Sequence, residues 1–128
     1  MNIQTLLQLF RADNDSCLIG TDAVRDGIDV PGQALRMIIY DRVPWPRSDV
    51  LFKARANWIG KHELTDRLTR MKLRQAYGRL IRKADDKGVF VMLDSALPSR
   101  LTSAFPSEVL IQRISLANAM LEIRKLLC

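Results

Sequence analysis

Apolar residues recur at Ile3, Leu6, Leu7, Leu9 and Phe10, a spacing that predicts a short amphipathic helix over 3–10. Asp13-Asn14-Asp15-Ser16 is turn material. Cys17-Leu18-Ile19-Gly20 is a brief apolar run, read as a first strand with Cys17 a buried core thiol. TDAVRDGIDVPG (21–32) is a loop rich in Gly, Asp and Pro. LRMIIYDRV (35–43) is near-continuous apolar and β-branched, which predicts a strand covered on both faces. VPWPR (43–47) carries two prolines and excludes regular helix or a central strand. Asp49 to Trp58 reads as a short helix ending near Gly60.

The longest helical pattern runs from Glu63 to Ala84, with Leu64, Leu68, Met71, Leu73, Tyr77, Leu80 and Ala84 at helical spacing. Asp85-Asp86-Lys87-Gly88 stops it, and VFVML (89–93), closed by Asp94, reads as a third strand. A loop with Pro98 and Pro106 follows, and Ser107 is the expected N-cap of a last helix to about Leu126. Strands separated by helices predict an α/β layered domain with a mostly parallel sheet flanked by helices. In such sheets ligands bind at the carboxyl ends of the strands, so the loops after the first two strands are the places to look. Three strands are fewer than a self-contained sheet of this kind usually holds, so the pattern is that of an incomplete domain.

Composition narrows the class. A chain of 128 residues, 48% hydrophobic and 27% charged, is globular and forms one domain or part of one. It has no run approaching the roughly 18–20 apolar residues of a membrane span, and MNIQTLLQLF has neither the basic start nor the cleavage site of a secretory leader. A cytoplasmic protein is expected. Cys17 and Cys128 make no CxxC spacing and His62 is the only histidine, so neither a zinc site nor a disulfide framework is readable. The net charge is +6, and 14 arginines stand against 6 lysines. Arginine forks onto phosphate, so the balance favours polyanion partners.

QAYGRLIR (75–82) is where charge and helix meet. With Gln75 at zero on a helical wheel of about 100° per residue, Arg79 falls at about 40° and Arg82 at about 340°, one polar stripe. Leu73, Tyr77, Leu80 and Ala84 cluster on the other side. Gly78 sits beside the stripe, although glycine costs roughly 1 kcal/mol in a helix interior relative to alanine. Taken by its residues, the stripe is open between a solvated basic face with a tolerated glycine and a phosphate contact approached closely at Gly78.

Two stretches in order carry a resemblance. Gly20-Thr21 and Gly27-Ile28-Asp29-Val30-Pro31-Gly32 precede a strand and Val43-Pro44-Trp45, and then come Gln75, Gly78, Arg79, Ile81 and Arg82 and the segment DKGVFVMLD. From about Leu7 to Phe105 this resembles the C-terminal motor domain of DinG/XPD-type helicases, superfamily-two ATP-dependent DNA helicases built from two RecA-like domains. The family's Trp-Glu before the motif glycine is Arg25-Asp26 here, one methylene shorter in the acid and without the aromatic. The GxxxxGK[ST] phosphate loop is absent: RANWIGKH has Arg55 for the first glycine and His62 for the Ser/Thr, so Gly60 reads as a helix C-terminus. No Asp-Glu-Ala-His-type magnesium box is present, and the two cysteines do not fit the family's iron–sulfur cluster.

The resemblance implies that residues 1–128 are the C-terminal part of a second RecA-like three-layer domain, with the first motor domain and its phosphate loop outside the chain. It implies a nucleotide site between the two domains, where Arg79 and Arg82 are arginine fingers and Gln75, Gly78, Gly27 and Asp29 contact or sense ATP. Thr21, Asp22, Arg25 and Arg47 are the implied contacts to single-stranded DNA. The other domain would supply magnesium and its ligands, within a cytoplasmic DNA-repair motor whose isolated second half is inactive. The alternatives are a nucleic-acid-binding module that acts without ATP, and an inactive fragment whose exposed sheet edge is buried by self-association.

Overall fold

The computed structural model describes residues 2–21, 24, 30 and 34–128. Helix α1 spans Ile3–Ala12, two residues beyond the expected end, and starts where Asn2 Oδ1 accepts the Thr5 N–H at 2.9 Å. Strand β1 is Met37–Tyr40, α2 is Val50–Ile59, α3 is Lys61–Leu80, β2 is Val89–Met92, a 3-10 helix covers Ser99–Ala104, and α4 is Leu116–Leu127. β1 and β2 form a two-stranded sheet. The Val89 N–H donates to the Arg36 carbonyl at 3.0 Å and the Leu93 N–H to the Tyr40 carbonyl at 2.9 Å, a constant offset that makes the pair parallel. This small parallel sheet among helices is consistent with an incomplete α/β domain.

Several expectations are corrected. Residues 17–20 form no strand, and Cys17 is exposed rather than buried. A strand is completed by a neighbour's hydrogen bonds, and apolarity alone does not supply one. β1 is shorter than 35–43 and alternates between exposed and half-buried positions, with Met37 and Ile39 on the open side, so it is not covered on both faces. α3 ends at Leu80 instead of Ala84. The last helix starts at Leu116, capped by Ser115 Oγ accepting the Asn118 N–H at 3.3 Å, and not after Ser107. Val109, Ile111 and Ile114 are β-branched, which lowers helix propensity over 107–115.

Contacts divide the chain into two compact units, one of Met1–Ile38, Gly78–Phe90 and Ile114–Cys128, the other of Ile39–Tyr77 and Val91–Arg113. In the first, Val30, Leu35 and Leu80 are buried together, with Phe10, Ala34, Ile38, Ile81 and Phe90 packed against them. Gly88 lies hard against this cluster: a Cβ there would come within 2.6 Å of Leu80 Cδ1 and Cγ. Gly88→Ala is expected to cost about 1–3 kcal/mol through overpacking, read as a lowered urea midpoint; an unchanged midpoint would show that Leu80 yields freely.

In the second unit the core is Val43, Phe52, Leu64, Leu73, Ala76, Leu101 and Ala104. Tyr77 meets Phe105 edge to face, with ring centroids 5.8 Å apart. Thr69 is fully buried and its Oγ1 donates to the Thr65 carbonyl at 2.7 Å, which satisfies the hydroxyl inside α3. Asp94, two residues past the end of β2, accepts the Ala96 N–H through Oδ1 at 2.9 Å and the Val43 N–H through Oδ2 at 3.1 Å. Those backbone donors hold its carboxyl below the usual aspartate range. Arg100 forks onto Asp66, with Nε to Oδ2 at 2.8 Å and Nη2 to Oδ1 at 3.1 Å, fixing the 3-10 helix to α3.

Candidate functional site

The C-terminal end of α3 carries the glycine and arginines singled out by the sequence. Leu73, Ala76 and Leu80 form its buried face, as the helical spacing requires. Gln75 and Gly78 are exposed and Arg79 is half-buried, all away from that face. A Cβ on Gly78 would meet nothing within 4 Å, so no described neighbour of this chain accounts for the glycine. Arg79 stands in the last turn, where a cation opposes the negative end of the helix dipole.

Arg82 does not continue the stripe. The helix has ended at Leu80, and Arg82 lies exposed beyond it. Asp86 is the cause: its Oδ2 accepts the Arg82 N–H at 2.8 Å and the Lys83 N–H at 2.9 Å, taking from the helix the donors its next turn would need. Gly78, Arg79 and Arg82 are thus gathered at a helix end whose turn is held by a carboxylate. Asp86 was legible as a stop signal, but its grip on the arginine's backbone was not.

The same bonds fix a pH dependence. Hydrogen bonds first from Arg82 and then from Lys83 lower the Asp86 pKa in the folded chain. A lowered folded pKa means that the carboxylate's contribution is fully present above the unfolded value of about 3.9 and is lost as pH falls through the folded one. Asp86 is expected to titrate below the ordinary aspartate range when followed by carboxyl NMR shifts, and the Arg82 and Lys83 amide resonances should move with it. An ordinary aspartate titration, or amides that ignore it, would sink this account.

The remaining site candidates are dispersed. Thr21 is exposed, and Arg47 is exposed in the proline-containing segment before α2. Asp22, Arg25, Gly27 and Asp29 lie outside the described residues. Gly60 is the C-cap of α2, at φ 99° with its N–H donating to the Ala56 carbonyl at 2.8 Å, which is the helix terminus expected and no phosphate loop. Among the described residues no group of three or more His, Cys, Asp or Glu side chains is placed to hold a metal ion. No described helix is long and apolar enough to cross a membrane.

The family model of the helicase C-terminal domain matches residues 1–110. The chain is 36% identical over 100 residues to the ATP-dependent helicase DinG of Mycobacterium tuberculosis, covering 73% of this chain and 15% of that protein. It is 36% identical over 104 residues to the ATP-dependent DNA helicase YoaA of Escherichia coli, covering 74% of this chain and 16% of that one. A further relative is the 3′-5′ exonuclease DinG of Bacillus subtilis, 29% identical over 96 residues, 70% of this chain and 10% of that protein. No solved structure matches the chain. The chain therefore spans about 15% of the length of the curated helicases it matches. The two motifs that suggested a helicase both fall within residues 1–110, and the chain belongs to the family of DinG-type helicase C-terminal domains.

Proposed function

We propose that this chain is the C-terminal part of the second RecA-like motor domain of an ATP-dependent DNA helicase, and that it supplies half of an ATP site formed with a phosphate-loop domain. The observation that carries the reading is the end of α3: Gly78 open to the outside, Arg79 in the last turn, and Arg82 just beyond it on a turn held by Asp86. In this reading the Arg79 and Arg82 guanidinium groups approach the γ-phosphate and stabilise the charge that develops as it is transferred. Gln75, one turn before Arg79, donates to the same phosphate, and Gly78 leaves room for it. Magnesium and the acid that orients the attacking water belong to the other domain.

Gly27 and Asp29 would couple nucleotide state to the DNA. Thr21, Asp22, Arg25 and Arg47 would hold the single strand by its backbone, a sequence-independent and salt-dependent contact. The names of the relatives, ATP-dependent helicase and ATP-dependent DNA helicase, support ATP and DNA as the partners.

Two measurements test the reading. The 128-residue chain alone should release phosphate from ATP at background rate with single-stranded DNA present, because fingers without a phosphate cradle have nothing to act on; robust turnover would refute it. Its affinity for single-stranded DNA should be unchanged in Arg79→Ala/Arg82→Ala, since those side chains face the nucleotide. A salt-dependent affinity abolished in that double variant would move the helix end onto DNA instead.

A further inference from the structure

The most exposed large aromatic side chain of the described residues is Trp58, which is 91% exposed at the C-terminal end of α2. Tryptophan is a side chain that proteins ordinarily bury to a large extent. With Trp58 at zero and about 100° per residue, Leu51 falls at about 20°, Arg55 at about 60° and Ala54 at about 320°. All four are exposed, while Phe52 and Ala56, at about 120° and 160°, form the inward face. The indole is therefore presented on the outer side of a helix anchored by Phe52.

Charge selects what such a platform takes. From Val50 to His62 the chain carries Lys53, Arg55 and Lys61 and no carboxylate. The Arg55 and Lys61 side chains have no hydrogen bond or ion pair among the described residues. The two acids that flank this stretch are both engaged, Asp49 accepting the Phe52 N–H at 2.7 Å and Glu63 paired with Arg67 Nε at 2.9 Å. An open indole with an unpaired arginine about 60° away on the same helix and an unpaired lysine three residues on in sequence is a combination that suits single-stranded nucleic acid, whose bases stack on aromatic faces while its phosphates meet cations. Tryptophan and arginine are enriched in protein interfaces too, but lysine is depleted there, and unpaired cations favour a polyanion.

We infer that the Trp58 face of α2, with Arg55 and Lys61, is a stacking platform for single-stranded nucleic acid. It rests on the reading of the chain as part of a DNA motor and adds a contact outside both motifs that define the family resemblance. One base stacks on the indole and the flanking phosphates lie towards Arg55 and Lys61.

The chain has two tryptophans, so Trp45→Phe leaves Trp58 as the sole indole reporter. Titrating that variant of the 128-residue chain with oligodeoxythymidine is expected to quench its fluorescence to saturation. Trp58→Ala should weaken binding by about 5- to 150-fold, the range of one stacked base, and Trp58→Tyr should retain most of the affinity. Replacing Arg55 and Lys61 by alanine should flatten the slope of log affinity against log salt by about 0.7 for each phosphate that is no longer neutralised. Salt-dependent binding with no quench, undiminished in Trp58→Ala, would overturn the platform and leave DNA binding through Thr21, Asp22, Arg25 and Arg47 standing. No binding by the unaltered chain would overturn both. A dimer converted to monomer by Trp58→Ala, with oligonucleotide affinity unchanged, would overturn it in favour of a protein interface.

Discussion

Arg79→Ala is expected to lower ATP turnover by about 10³- to 10⁵-fold in a helicase that joins this chain to a phosphate-loop domain. The side chain sits in the last turn of α3, beside the open Gly78. Its proposed target is charge that grows on the γ-phosphoryl oxygens only in the transition state. Removing such an interaction lowers kcat and kcat/KM together and leaves KM for ATP nearly unchanged. Arg79→Lys should not restore the rate, since an ammonium is a point charge that cannot fork across two oxygens. Arg82→Ala should show a comparable loss, and the double variant little more than the worse single one, because groups that act as a unit are not additive. Steady-state phosphate release at saturating DNA measures all of this. Turnover of Arg79→Ala within about tenfold of the parent, far short of the loss expected of a finger, would remove the residue from the chemistry.

Local order made part of this legible and left part hidden. α3 was readable because Leu64, Leu73 and Leu80 repeat at a helical spacing that one face must bury, and all three are buried. α2 was readable at both ends, where Asp49 accepts the Phe52 N–H at 2.7 Å and Gly60 caps. What failed depends on partners distant in sequence or on competing bonds. The run 17–20 is apolar enough for a strand, but nothing in so short a run tells whether another strand will pair with it. β1 looked doubly covered because the run 35–43 is near-continuous apolar and β-branched in part, yet its alternation is that of a strand with one open side. The helix end was misplaced because the helical spacing of Leu73, Tyr77 and Leu80 continues to Ala84, whereas the Asp86 carboxylate removes the next N–H groups from the helix. For the site, the order of motifs was enough to name the family. The displacement of Arg82 from the stripe, the openness at Gly78 and the exposure of Trp58 needed coordinates.

Leu73→Ala separates holding the helix from acting at its end. Leu73 is fully buried on the same side of α3 as Ala76 and Leu80, and Ala76 is too small to fill a space left beside it. Truncating a leucine in such a place costs about 2–5 kcal/mol, the transfer term plus the cavity. That is a large share of the roughly 5–15 kcal/mol that stabilises a whole domain. The urea midpoint should fall accordingly, and ATP turnover of the joined motor should fall with it as α3 loses its seat. Arg79→Ala should also abolish turnover, yet shift the midpoint by at most about 1 kcal/mol, the scale of a cation at a helix C-terminus. Leu73→Met keeps the volume and should cost less than about 1.5 kcal/mol, restoring both readouts. If Leu73→Ala left the midpoint in place, the packing of α3 would be wrong. If Arg79→Ala lowered the midpoint as far as Leu73→Ala, the arginine would be a structural residue, and the loss of turnover would say nothing about phosphate.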